Sequence, residues 1–127
     1  MQLTLLDSLP IVVAKLTYRG VSVDVPRALV DTGSATTVID ADIAGEVGIF
    51  CGPQDHWRML RGVGGKERVF IRKVDRLAVG AHGLDDIELE FGEMNYGFDI
   101  SAILGMNFLH AARAVIDLGR LELDIAT

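Results

Sequence analysis

The chain is 127 residues long, half of them hydrophobic and 24% charged, a composition that supports a buried core and excludes a disordered chain. Its formal net charge of −6 excludes general nucleic-acid binding, because neutralising phosphates needs a basic surface. One cysteine, Cys51, cannot form an intrachain disulfide, and no apolar run approaches the ~20 residues of a membrane span, so a cytoplasmic protein without membrane contact is expected.

Met1 to Asp7 carry no basic run, and no secretory signal is expected there. Beyond them, glycine and Asn/Asp punctuation recurs about every ten residues between segments rich in Val, Ile and Leu, the spacing of a mostly β domain. Ile11 to Tyr18 and Val21 to Val25 flank Arg19-Gly20, a two-residue turn with glycine where positive φ is needed, and predict a hairpin. Val23, Val25 and Ala28-Leu29-Val30 then form an apolar approach to Asp31. Asp40 to Val47 predicts a short helix, with Asp40 as N-cap, Ile43 and Val47 on one face and Gly48 as the stop. Trp57 to Leu60 and Arg68 to Val74 predict a second hairpin around Gly62-Val63-Gly64-Gly65. Leu77 to Val79, Ile87 to Phe91, Ala114 to Leu118 and Leu121 to Ile125 predict further strands, the last two joined at Gly119-Arg120. Leu3 to Leu6 and Leu121 to Ile125 are apolar enough to pair either with a second copy or within the chain's own sheet. No Pro- or Ser-rich linker intervenes, so residues 1–127 are expected to form one domain.

The sequence also carries a faint internal echo. Ala28-Leu29-Val30-Asp31-Thr32-Gly33 precedes polar residues and the helix candidate, while Ala102-Ile103-Leu104-Gly105-Met106-Asn107 precedes a short helical pattern through Ala112. Two apolar strand ends that each enter a glycine-containing turn and then a helix predict a pseudo-twofold. Charge is uneven as well. Between Trp57 and Arg76, seven basic residues (Arg58, Arg61, Lys66, Arg68, Arg72, Lys73, Arg76) stand against Glu67 and Asp75, a balance of +5 that leaves −11 elsewhere. Such a run is either a hairpin with solvated outer faces or a basic cover over a site for acidic ligands.

Asp31-Thr32-Gly33-Ser34 follows a strand that reads as buried. A carboxylate there loses hydration unless hydrogen bonds replace it; Thr32 and Ser34 offer hydroxyls, and Gly33 permits close backbone approach. Alone, the tetrapeptide is equally compatible with an Asx turn. Gly62-Val63-Gly64-Gly65-Lys66 is not a phosphate loop, which would need glycine at Leu60 and Ser or Thr at Glu67. His56, His82 and His110 are too dispersed for a local metal motif, and neither metal nor cofactor is expected. Cys51 has no recognisable partner histidine and reads as a buried or loop thiol. Trp57 and Phe70 are expected to pack at the base of the second hairpin, where either could line a substrate subsite.

Taken in order, three segments resemble the retropepsin-like aspartic protease family over nearly the whole chain. Ala28-Leu29-Val30-Asp31-Thr32-Gly33-Ser34 is similar to its catalytic turn, Gly62-Val63-Gly64-Gly65 to its glycine-rich flap tip, and Ile103-Leu104-Gly105 to the hydrophobic-hydrophobic-Gly motif that the catalytic loop crosses. Asn107 with the short helix after it, and the closing hairpin Val115 to Ile125, fit the same pattern.

The resemblance implies a closed, mostly antiparallel barrel with a flap hairpin and one or two short helices. It implies Asp31 as the catalytic carboxylate, Thr32 reaching its counterpart in a second subunit, Gly33 leaving room for substrate backbone, and Ser34 donating to the outer oxygen of Asp31. Gly62, Val63 and Gly64 would close over bound peptide, and Ala35 would lie beside substrate backbone. Because the chemistry needs two carboxylates and the chain has one Asp-Thr-Gly, the resemblance implies a symmetric homodimer that hydrolyses polypeptide. A module that keeps the fold for peptide binding or dimerisation but has lost catalysis is the alternative. Well-known viral members carry an acidic residue and an arginine where this chain has Ala35 and Met106, a subfamily difference; a non-viral, bacterial member of the family is expected. Replacing both charged partners by apolar residues strands neither.

Overall fold

A computed structural model describes residues 1–53, 55–62, 65–94 and 99–126, giving the backbone alone for 60–62 and 65–67. In chain order it places β1 (Thr4–Leu6), β2 (Leu9–Tyr18), β3 (Val21–Val30), β4 (Val38–Asp40), α1 (Ala41–Glu46), β5 (Trp57–Gly62), β6 (Gly65–Val79), β7 (His82–Gly92), β8 (Ala102–Leu104), α2 (Met106–Ala111), β9 (Val115–Asp117) and β10 (Glu122–Asp124). The protein is mostly β, as the punctuation predicts.

Local chemistry explains the boundaries. The β2–β3 turn has φ of 49° at Arg19 and 81° at Gly20, both in the left-handed region that suits a tight hairpin. A second two-residue turn, Asp7-Ser8, also has positive φ and joins β1 to β2; without glycine, it is silent in the sequence. Asp40 caps α1, its carboxylate accepting the Asp42 N–H at 2.8 Å, and Gly48 ends the turn at φ 85°. Pro26 has no N–H to give, and the β2–β3 register shifts between Val12/Ala28 and Ala14/Val25. The expected strands Arg68 to Val74 and Leu77 to Val79 are one continuous strand, β6, because β7 pairs along it from Val69 to Val79.

The main sheet runs β1-β2-β3-β8-β4-β7-β6-β5, and β2 also pairs with β6 at Lys15–Thr17, so six strands follow one another in a ring. Most pairs are antiparallel; β3–β8 and β4–β7 are parallel. The internal echo appears as register: Ala28, Leu29 and Val30 stand opposite Ala102, Ile103 and Leu104. The terminal segments pair within the chain, with Gln2 bridged to Glu122 and the Leu3 N–H donating to the Leu121 carbonyl at 2.7 Å. Leu16, Val25, Ile39, Phe70, Phe91, Leu104 and Phe108 belong to the main core, while Ile11, Leu29 and Ile100 form a smaller apolar cluster.

Residues directly opposite in a ladder share a face. Ile11, Leu29, Ile103, Val38, Glu90 and Ile71 therefore form one transverse row across β2, β3, β8, β4, β7 and β6. Asp31 lies two residues beyond Leu29, at the end of this face.

Candidate active site

β3 delivers Asp31 into a turn whose backbone is fixed at both ends. The Asp31 N–H donates to the Leu104 carbonyl at 3.0 Å, extending the β3–β8 pairing by one step, and the Ser34 N–H donates back to the Asp31 carbonyl at 3.3 Å. Within the turn, Asp31 Oδ1 accepts the Gly33 N–H at 2.9 Å. A Cβ on Gly33 would stand 3.2 Å from that same oxygen, so glycine lets the turn close tightly around the carboxylate. Asp31 is half-buried, and Thr32, Gly33 and Ala35 are exposed.

The following loop rests on the second half of the echo. Met106 N–H donates to the Ser34 carbonyl at 2.7 Å and Asn107 N–H to the Ala35 carbonyl at 3.2 Å. Thr37, 0% exposed, joins the two pieces: its hydroxyl donates to Asn107 Oδ1 at 2.7 Å and accepts the Gly105 N–H at 3.1 Å. A Cβ at Gly105 would sit 2.0 Å from the Thr36 carbonyl oxygen, so the loop crosses directly over that glycine. Sequence reading finds Gly105 and Asn107 but misses Thr37, which looks like one more polar loop residue.

One expected contact differs. Ser34 Oγ donates to the Thr36 carbonyl at 2.8 Å, not to Asp31. A hydroxyl has one proton to give, and the carbonyl two residues on lies closer to hand in this tight loop. The hydrogen bond to the Asp31 carboxylate comes instead from the Gly33 backbone. Ser34→Ala is therefore expected to leave the acid limb of any pH–activity profile where it is, and to cost about 1 kcal/mol in a urea melt.

The second hairpin pairs Trp57 with Phe70 through Gly62 with Gly65. Val63 and Gly64 lie outside the described residues; Gly62 ends β5, on a different element from the Asp31 turn. At its base, Trp57 meets Phe70 edge-on at 5.6 Å, and Phe70 meets Phe91 at the same spacing, with Arg68 over the Trp57 ring at 4.3 Å. Phe70 is buried as expected, while Trp57 stays exposed. Arg58, Arg72 and Arg76 pair with Glu90, Asp55 and Asp85, so with Arg68 four of the seven basic residues are engaged within the chain. That favours a structural use of the basic run.

Arg72 pins the segment that leads into β5. It donates to both Asp55 carboxylate oxygens, to the Phe50 carbonyl and to the Tyr18 hydroxyl, while the Gly52 N–H also donates to Asp55 at 2.6 Å. These bonds, Arg72 foremost, hold the Asp55 carboxyl below its ordinary value of 3.8. A lowered folded value means stability that is present above about pH 4 and lost as pH falls through it. Asp55→Asn is thus expected to cost about 2 kcal/mol in urea melts near neutrality, with the difference from wild type shrinking toward zero below pH 3.8.

Residues 17–111 match the family model described as "gag-polyprotein putative aspartyl protease", a span from the end of β2 to the end of α2 that includes the Asp31 turn, the second hairpin and Gly105. Comparison with curated proteins finds no match.

Proposed function

The chain belongs to this aspartyl protease family, and on that premise we propose that it is an endopeptidase whose active site forms when two copies bring their Asp31 turns together. The observation that carries this reading is a half-buried carboxylate in a turn braced on Gly105, in a chain with one Asp-Thr-Gly. One Asp31 carboxylate takes a proton from water, whose oxygen attacks the scissile carbonyl carbon, while the other, protonated, gives its proton to the carbonyl oxygen. Collapse of the tetrahedral intermediate breaks the C–N bond as a proton passes to the leaving amine. Two like charges so close do not both ionise freely, so the pair shares one proton.

Thr32 is exposed, and its hydroxyl has no hydrogen-bond partner among the described residues, which supports a role reaching across to the second subunit's loop. The termini pair within the chain, so the interface centres on the catalytic turns rather than on exchanged terminal strands. Ala35, exposed beside the turn, lies along substrate backbone. The six-strand ring supports a closed barrel comprising one domain. From Gly65 to Arg68, β6 has β5 but no longer β7 beside it, which supports a projecting flap whose tip, Gly62, Val63 and Gly64, covers an extended peptide.

The test is a mixed peptide library incubated with purified protein from acidic to neutral pH, with sedimentation of the same samples. Cleavage at defined bonds by a dimeric species is expected. Absence of cleavage at every pH favours a silent binding module instead.

A further inference from the structure

Glu90 is a carboxylate at 5% exposure near the C-terminal end of β7, on the same sheet face as Asp31. Its N–H donates to the Thr37 carbonyl at 3.0 Å, and it stands opposite Val38, the first residue of the strand leaving the catalytic loop. On its other side, across Ile71, Oε1 accepts from Arg58 on β5 at 2.5 Å. Oε2 is buried and has no hydrogen-bond partner among the described residues. One residue thus joins the catalytic loop, through its backbone N–H, to the outer strand of the hairpin, through its carboxylate.

We propose that Glu90 is a positioning residue: ionised, it holds Arg58 and sets the base of the β5–β6 hairpin against the catalytic loop; protonated, it releases that hold. The proposal rests on the protease reading above. Its physical basis is an asymmetry of solvation. The Arg58 side chain is 48% exposed and rehydrates readily, whereas Glu90 is enclosed and loses its charge at modest cost. On this face, Asp40 on β4, Lys73 on β6 and Glu88 on β7 lie two residues along their strands from Glu90 or from a residue opposite it; Asp75 and Asp86 lie farther along β6 and β7, and Asp31 lies at the end of the face beyond Leu29. Thr36 is the polar neighbour from the loop. Burial raises the Glu90 carboxyl above its ordinary 4.5, offset in part by Arg58 and then by the Thr36 side chain. A raised folded value means that ionising Glu90 opposes folding: stability is full below pH 4.5 and falls as pH rises through the folded value. Glu90→Gln, a neutral isostere, should therefore fold at least as well as wild type near neutrality.

Two readouts decide the matter. In steady-state cleavage, wild-type KM is expected to rise roughly two- to fivefold as pH falls through the Glu90 titration, the worth of a half-exposed ion pair. Glu90→Gln should hold the higher KM at all pH values in that window with kcat unchanged; Arg58→Met should behave likewise, and Arg58→Lys should restore the pH dependence. Independently of catalysis, the single tryptophan, Trp57, adjoins Arg58 on β5 and reports the hairpin base by fluorescence. A pH transition present in wild type and absent in Glu90→Gln is expected. Identical KM and fluorescence profiles in the two proteins, or no transition in either, would overturn the proposal. Should wild type cleave nothing, the protease reading fails while the fluorescence titration still judges the hold on the hairpin.

Discussion

Asp31→Asn should abolish peptide cleavage, by roughly 10³-fold or more, while leaving the fold intact. Its carboxylate makes a single hydrogen bond to the described chain, from the Gly33 N–H, and asparagine presents an oxygen that accepts it equally well. A urea melt should therefore move by less than about 1 kcal/mol. The informative experiment is mixing. If two Asp31 carboxyls divide the roles of base and acid, a dimer with one asparagine keeps a single carboxyl that cannot fill both. Wild type and variant unfolded together at equal amounts and refolded assort at random, and about one quarter of the dimers then carry two aspartates. Activity should fall to about a quarter of that of the undiluted wild type, against about a half if each chain works alone. A value of one half would break the two-chain mechanism without touching the role of Asp31 itself.

Much of this site was legible in the sequence because its parts are spelled by residues with few alternatives. Arg19-Gly20, Asp40 and Gly48 mark turn, cap and stop through backbone geometry that few residues satisfy, and each acts where expected. The echo between Ala28–Gly33 and Ala102–Asn107 became a parallel register because both copies end in the same strand-to-turn pattern. Contacts decided by competition between nearby acceptors were not legible: Ser34 could donate to Asp31 or to Thr36, and only the loop's path selects the second. Glu90 was hidden by alternation. Glu88 and Glu90 alternate with Ile87, Leu89 and Phe91, a pattern that a strand with one solvated face also gives, yet β7 lies between β4 and β6 and is buried at Leu89, Glu90 and Phe91 alike. The Asp7-Ser8 turn was missed for the opposite reason, since no glycine announced it.

Gly105→Ala should be the most damaging single-methyl change tested on this chain. Its Cβ would lie 2.0 Å from the Thr36 carbonyl oxygen, 2.6 Å from the Thr36 carbonyl carbon and 2.8 Å from the Ser34 carbonyl oxygen. All three are backbone atoms, so no side-chain rotation relieves the clash. The loop has to retreat by more than an ångström, roughly the gap to an ordinary van der Waals contact. Retreat stretches the bonds that brace it, from Gly105 N–H to Thr37 and from Met106 N–H to Ser34, and leaves the fully buried Thr37 hydroxyl short of an interaction. A loss of about 4 kcal/mol or more in urea denaturation is expected, in the range reserved for backbone strain combined with buried unsatisfied groups. Gly119→Ala is the matched control. The added methyl there meets only Asp117 Oδ1 at 3.4 Å in an exposed turn, and a change within about 0.5 kcal/mol is expected. If the two variants melt alike, the loop does not press on Gly105. If Gly105→Ala is unstable yet its folded fraction cleaves at the wild-type rate, the crossing serves stability alone and Asp31 is positioned by its own turn.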